Sequence, residues 1–200
     1  KLSLHPRRRM RVPEKTLLHY MAAGDPVHDY LGMKIYVSAA GVLRFMVVLF
    51  RSSTGELAAL IEADALGQIR TGAASGVATK YLANPDARIA GIIGTGYQAQ
   101  TQLEAVATVR TLRSVRAFGR DPDRRAKFCR EMSAKIGVEV QPALSCEEVV
   151  RDAEIVITAT SAMKTVLEGE WLLPGAHINA IGANFPQKRE LDDAAVARAD

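Results

Sequence analysis

An apolar run that ends in two closely spaced glycines and hands over to a helical pattern leaves a chain few folds to choose from. Arg88 to Gln100, RIAGIIGTGYQAQ, is such a stretch. Ile89, Ala90, Gly91, Ile92 and Ile93 read as a strand buried on both faces, and Gly94-Thr95-Gly96-Tyr97-Gln98-Ala99 fits the G-x-G-x-x-G/A fingerprint of a dinucleotide turn. Gly94 allows the tight turn, Gly96 lets a pyrophosphate approach the backbone, and Ala99 is small enough for the helix to pack close on the strand. The free N–H groups and positive dipole end of that helix would attract the phosphates.

Such a turn carries weight only inside a strand–helix–strand unit, and the following residues supply one. A helix is expected from Tyr97 to Arg110, a strand at Ser114–Phe118, a helix at Pro122–Ile136 and a short strand at Val138–Gln141. A helix at Cys146–Arg151 and strands at Glu154–Ala159 and His177–Ile181 follow. Parallel strands need crossovers, so this rhythm predicts an α/β fold, a Rossmann-like doubly wound parallel sheet. Ahead of it, Met33–Ala39, Val42–Phe50 and Glu56–Asp64 read as strands, with a hairpin turn at Ser52-Ser53-Thr54-Gly55. Thr71–Ala83 reads as a helix surfaced with small residues, suited to a buried connector and stopped by Asn84-Pro85. Two domains are expected: a smaller α+β domain over residues 1–84 and the dinucleotide domain over 85–200. The first, being small, buries limited apolar area alone and calls for a partner subunit or further chain.

Composition narrows the function classes. The apolar fraction is 48% and the formal charge +4, part of it in Arg7-Arg8-Arg9-Met10-Arg11. That run lacks interleaved aromatics and reads as a solvated face, which argues against nucleic acid. Cys129 and Cys146 form no CxxC pair and have no histidine cluster beside them, so they are expected as free thiols in a reducing cytoplasm, with no metal. Phe45–Phe50, the longest apolar run, is too short to cross a bilayer, and no membrane partner is expected. The chain opens at Lys1, not at methionine, and is taken as a fragment.

The cofactor's phosphate state can be argued from the tip of the second parallel strand. Phe118 is followed by Gly119-Arg120-Asp121. The acid that would bind the ribose of NAD is missing at the tip and an arginine follows, which favours NADP, with NAD as the alternative; Asp121 can cap the helix that Pro122 opens. Tyr97 and Gln98 would present N–H groups to the cofactor. Thr158 and Thr160 lie at the carboxyl edge of their strand, where ligands of open α/β sheets sit. His177 reads as a structural histidine and Trp171 as a packing residue.

IRTGAASGVATKYLA, IIGTGYQAQTQLEA and EGEWLLPGAHINAIGANFPQKRELD together resemble the ornithine cyclodeaminase/mu-crystallin family along nearly the whole chain. The resemblance implies a Rossmann domain, a second domain for substrate binding and dimerisation, a nicotinamide cofactor, and a longer chain whose C-terminal part completes the sheet. It also implies that basic residues hold a substrate carboxylate: Lys34, Arg70 and Arg8, with Arg7 and Arg9 as alternatives to Arg8. A planar carboxylate suits the arginine fork, and lysine adds a point charge. Arg70 at the start of a helix would be unfavourable against the dipole unless it met an anion. Lys188 is implied as a cofactor contact. Where ornithine cyclodeaminases carry a catalytic Asp, this chain has Asn184, and an amide cannot exchange a proton as a carboxylate does. The expected activity is therefore hydride transfer to or from the α-carbon of a small amino or imino acid, with Lys34, Arg70 and Asn184 in the catalytic set and a homodimer as the assembly. A cyclodeaminase and a non-catalytic NADPH-dependent binding protein are the alternatives.

Overall fold

The computed structural model describes residues 2–12, 16–183 and 186–199, and the chain divides into two compact units, 1–67 and 68–200. The division falls inside a helix, whereas the sequence places the boundary after that helix, at residue 84.

The first unit is an antiparallel meander of five strands in sequence order: β1 (Ser3–Val12), β2 (Thr16–Asp25), β3 (Tyr30–Ala39), β4 (Val42–Arg51) and β5 (Leu57–Glu62). β1 and β2 are absent from the sequence reading. Every residue of β1, including the arginine run, is exposed, so no alternation of burial marks it, and the burial of β2 does not alternate regularly either. Ala40 (φ 49°) and Gly41 (φ 78°) make the β3–β4 turn, and the predicted turn between β4 and β5 contains Gly55 at φ 74°. Asp29 joins two turns: its carboxylate accepts from Ser52 Oγ (2.7 Å), Ser53 N (2.8 Å) and Ser53 Oγ (2.8 Å). Only His19, Tyr36 and Ala63 are buried among the described residues of this unit. Leu4, Leu57 and Leu60 are all more than half exposed.

Helix α1 (Asp64–Leu82) starts seven residues before the predicted position. The cause is Asp64, whose carboxylate accepts from Phe45 N at 2.7 Å and pairs with Arg44 at 3.2 Å while placing an acid in the first turn. Arg70 consequently lies in the second turn of α1, and the expectation that it begins a helix is corrected.

The second unit is built on a parallel sheet of order β10-β9-β6-β7-β8. Its strands are β6 (Ile89–Ile93), β7 (Ser114–Phe118), β8 (Val140–Pro142), β9 (Ile155–Thr158) and β10 (His177–Ala180). Helices α2 (Tyr97–Val109) and α3 (Pro122–Ile136) cover one face, where Leu103, Val106, Phe128 and Met132 pack with Ile92, Val115, Ile155 and Ile157. On the other face Ile93 and Val156 pack with Val149 and Val150 of α4 (Cys146–Val150), with Leu167 and Leu172, and with Ala195 of α5 (Asp193–Ala197). Successive side chains of one strand serve opposite cores, so this is the doubly wound parallel sheet that the residues predict. Cys129 and Cys146 are free thiols whose pKa values burial pushes up.

The small residues of α1 set its distance from α2. A side chain at Gly72 would run into the backbone of Thr101, and a Cβ at Gly76 would sit 3.1 Å from that of Ala105. Buried Arg110 closes the end of α1 by donating to the carbonyls of Thr79 (2.8 Å), Ala83 (2.7 Å) and Asn84 (3.0 Å), at a terminus whose last carbonyls lack helical partners. Gly72→Leu is expected to destabilise this unit by about 1–3 kcal/mol through overpacking. Urea unfolding followed by the emission of Trp171, the chain's single tryptophan, measures it.

Candidate functional site

Strand order reverses at β6, which pairs with β7 on one side and with β9 on the other, opening a crevice at the carboxyl ends where α/β sheets take ligands. Gly94 turns the chain there at φ +110°, its N–H donating to Phe118 O at 2.8 Å, and a Cβ would fall 2.8 Å from the carbonyl carbon of Ala159. Only glycine combines that backbone with that approach. Gly96 is different. Its φ of −88° suits any residue, and among the described residues no atom outside its chain neighbours lies within 4 Å of a would-be Cβ. It is the N-cap of a 13-residue helix and offers no side chain to cap it. An open space over uncapped N–H groups at the positive end of α2 fits a pyrophosphate.

The first turn of α2 is held from behind: the Gln68 side-chain amide donates to the carbonyl of Tyr97, and Thr101 Oγ1 donates to Gln68 O at 3.1 Å. Tyr97 itself is 58% exposed beside the turn. Gln98 Oε1 is buried and has no hydrogen-bond partner among the described residues. At the tip of β7 the carboxylate of Asp121 accepts from Asp123 N and Arg124 N, both at 3.0 Å, and so serves as the cap of α3. Arg120 is exposed at that tip, while Arg125 donates to Gly119 O at 3.0 Å and stacks over Phe118.

The opposite wall of the crevice is organised by a residue that sequence reasoning missed, Glu190. Its side chain is 1% exposed. One carboxylate oxygen accepts from Thr160 N and Thr160 Oγ1, both at 2.7 Å, and the other from Thr158 Oγ1 at 3.0 Å and Gly182 N at 2.7 Å. Thr158 is fully buried with its hydroxyl donated to Glu190, which corrects its expected role as a direct cofactor contact. Thr160 likewise donates its hydroxyl inward. Lys188 is half-buried two residues before Glu190. Asn184 lies outside the described residues.

A second cluster lies on the first sheet. His19, Tyr36 and Phe45 occupy paired positions on three adjacent strands and stack, with ring centroids 4.3 Å and 4.8 Å apart. Lys34, two residues before Tyr36 and on the same face, holds its Nζ 4.8 Å from the Phe45 ring and 5.7 Å from the Tyr36 ring. Arg7 lies 5.8 Å over Tyr36, and Arg9 pairs with His19. Arg8 pairs with Tyr20, so alternation turns it to the other face. The arginines that share a face with Lys34 are therefore Arg7 and Arg9, and Arg8 is corrected. Lys34 and Arg7 over an aromatic floor, with Arg9 on the same face, suit a planar carboxylate. Arg70 belongs to the second unit and is exposed.

His177 donates its N–H to Glu154 O in the sheet, and burial lowers its pKa, with Arg110 adding to that and its hydrogen bond with Asn179 opposing it. Its Nε2 is buried with no hydrogen-bond partner among the described residues. No group of three or more potential metal-ligating side chains occurs among the described residues, and no described helix is long and apolar enough to cross a membrane.

The model of the ornithine cyclodeaminase/mu-crystallin family matches residues 4–200. The chain belongs to this family. Rat ketimine reductase mu-crystallin is 37% identical over 147 residues, which cover 74% of this chain and 46% of that protein. The structure of Thermococcus litoralis Delta(1)-pyrroline-2-carboxylate reductase in complex with NADH and L-proline matches with TM-score 0.91 and 36% identity, over 98% of this chain and 63% of that one. An archaeal alanine dehydrogenase dimer with bound NAD matches with TM-score 0.88 and 32% identity, over 96% and 60%. The chain thus spans about half the length of the curated family members it matches.

Burial first, then the charges of Arg9 and Arg7, hold the pKa of His19 below its ordinary 6.5. The folded chain therefore favours the neutral ring, and the unfolded chain takes up a proton at higher pH. The stability this contributes is complete above 6.5 and is lost as pH falls through the lowered folded value. The midpoint of thermal unfolding should drop between about pH 7.5 and about pH 5.5 by more in the wild type than in His19→Gln.

Proposed function

We propose that this chain is part of an NAD(P)-dependent oxidoreductase that moves hydride to or from the α-carbon of a small amino or imino acid. The observation that carries the reading is the open cradle over Gly96 at the uncapped start of α2, set where strand order reverses. Gly94, Gly96, Tyr97 and Gln98 would hold the pyrophosphate, and Arg120 would meet a 2′-phosphate, so NADP is preferred to NAD. When bound, the nicotinamide gives or takes the hydride. Lys34, with Arg7 or Arg9, would clamp the substrate carboxylate. Positioning and charge complementarity then supply most of the catalysis.

Asn184 stands where a proton-transferring acid would serve cyclodeamination, which favours reduction of an imine over ring closure with loss of ammonia. The exposed leucines of the first sheet, together with the dimeric archaeal relative, support a homodimer. Two free thiols fit a reducing, cytoplasmic setting.

The test is NADPH oxidation followed by absorbance with Δ1-pyrroline-2-carboxylate, pyruvate plus ammonia, or L-ornithine. Turnover is expected with the cyclic imino acid. Proline and ammonia formed from ornithine would establish a cyclodeaminase instead, and nucleotide binding without any oxidation would establish a binding protein. Lys34→Ala should lower kcat/KM by about 100-fold, as loss of a charged carboxylate contact does. Arg120→Ala should weaken NADPH about tenfold and leave NADH unchanged, which fluorescence titration reads directly.

A further inference from the structure

The buried carboxylate of Glu190 has no place in the chemistry proposed above, yet it takes four donors from two segments that end at the crevice. Thr158 and Thr160 come from the end of β9, and Gly182 from the loop after β10. Gly182 has no room for a side chain, because a Cβ would sit 2.6 Å from Glu190 Cδ. The main-chain carbonyl of Glu190 also accepts from Val166 N (2.8 Å) and Leu167 N (3.0 Å), so the residue is fixed at both ends. Its oxygens face only N–H and O–H dipoles in these bonds, an arrangement that needs an acceptor at every position. The segment it holds includes Ala159, whose carbonyl carbon would lie 2.8 Å from a Cβ on Gly94. Glu190 therefore sets the wall of the crevice that faces the phosphate turn.

A dinucleotide bridging this crevice has its adenosine half towards the tip of β7, where the ribose is read, and its nicotinamide half towards β9 and β10. We infer that Glu190 is a positioning residue for the nicotinamide half of the cofactor: it touches no ligand and acts through the backbone of residues 158–162 and 180–182. The inference rests on the nicotinamide reading of the site. It places a determinant of nicotinamide geometry in a side chain that the glycine fingerprint does not include.

Glu190→Gln is the informative change. One oxygen of similar size remains, but the new NH2 faces donors, so two of the buried groups lose their acceptor. Binding of NADPH and NADH is measured by fluorescence, and binding of the adenosine halves alone, adenosine 2′,5′-bisphosphate and ADP, by calorimetry. The expected result is a loss of about tenfold or more for the preferred whole dinucleotide and less than about twofold for its adenosine half. A parallel loss of both would mean that Glu190 only supports the fold, and no loss of either would mean that the wall does not need it; each overturns the inference. Wild-type protein that binds neither dinucleotide overturns the cofactor reading itself and the inference with it. Should Glu190→Gln fail to fold by circular dichroism, Thr158→Val decides. It removes one donor at nearly constant volume and should weaken the dinucleotide about threefold while sparing the adenosine half. An unchanged dinucleotide affinity in that variant overturns the inference.

Discussion

Parallel strands cannot reverse their spatial order without leaving a gap, and the reversal at β6 is the constraint on which the second unit depends. Chain after β8 must return across the sheet to place β9 on the free side of β6. The loops leaving β6 and β9 then depart to opposite faces, and the space between them is a crevice by topology, before any side chain is considered. Gly94 is the price of this geometry, since three strand ends converge on it: β6 leads into it, its N–H meets β7, and its Cα faces the end of β9. Gly96 is free of that constraint and has only open space to answer to. The two glycines of one motif thus do different work, one for the protein and one for a ligand.

The crevice was legible in the sequence because its signals are local. An apolar strand, a glycine turn and a helix with small residues occupy thirteen consecutive positions, and each signal is readable without knowing the rest of the chain. The Asp121 cap was legible for the same reason, with Pro122 beside it. β1 and β2 were not. A strand exposed along its whole length has no buried face to impose alternation, and four arginines within β1 look like a solvated run whichever backbone carries them. That failure propagated to the choice among Arg7, Arg8 and Arg9, since only strand register tells which of three consecutive arginines share a face. The start of α1 was misplaced because Asp64 answers to β4, nineteen residues earlier. Glu190 was invisible on stronger grounds: a charged residue between Arg189 and Leu191 in a loop-like segment reads as surface, and its burial follows from donors that tertiary structure collects.

In the first sheet, charge and aromatic surface stand together. The rings of His19, Tyr36 and Phe45 make a flat apolar floor, and Lys34 rests its ammonium on it instead of extending to water. Cations over ring faces keep favourable electrostatic contact while partly desolvated. Burial first, and then the charges of Arg9 and Arg7, lower the pKa of His19 within this floor.

Glu190 also governs when the wall facing the phosphate turn can be fixed. Thr158 waits for a partner 32 positions further along, and Gly182 for one 8 positions on. In a chain growing from its amino end, β6 and β9 can pair well before residue 190 has emerged, but the edges of their loops have nothing to hold them. Closing that span carries a modest loop entropy, met by several hydrogen bonds formed at once. The phosphate turn draws on residues close together in sequence, whereas the facing wall is tied together by a residue 32 positions beyond the strand it holds.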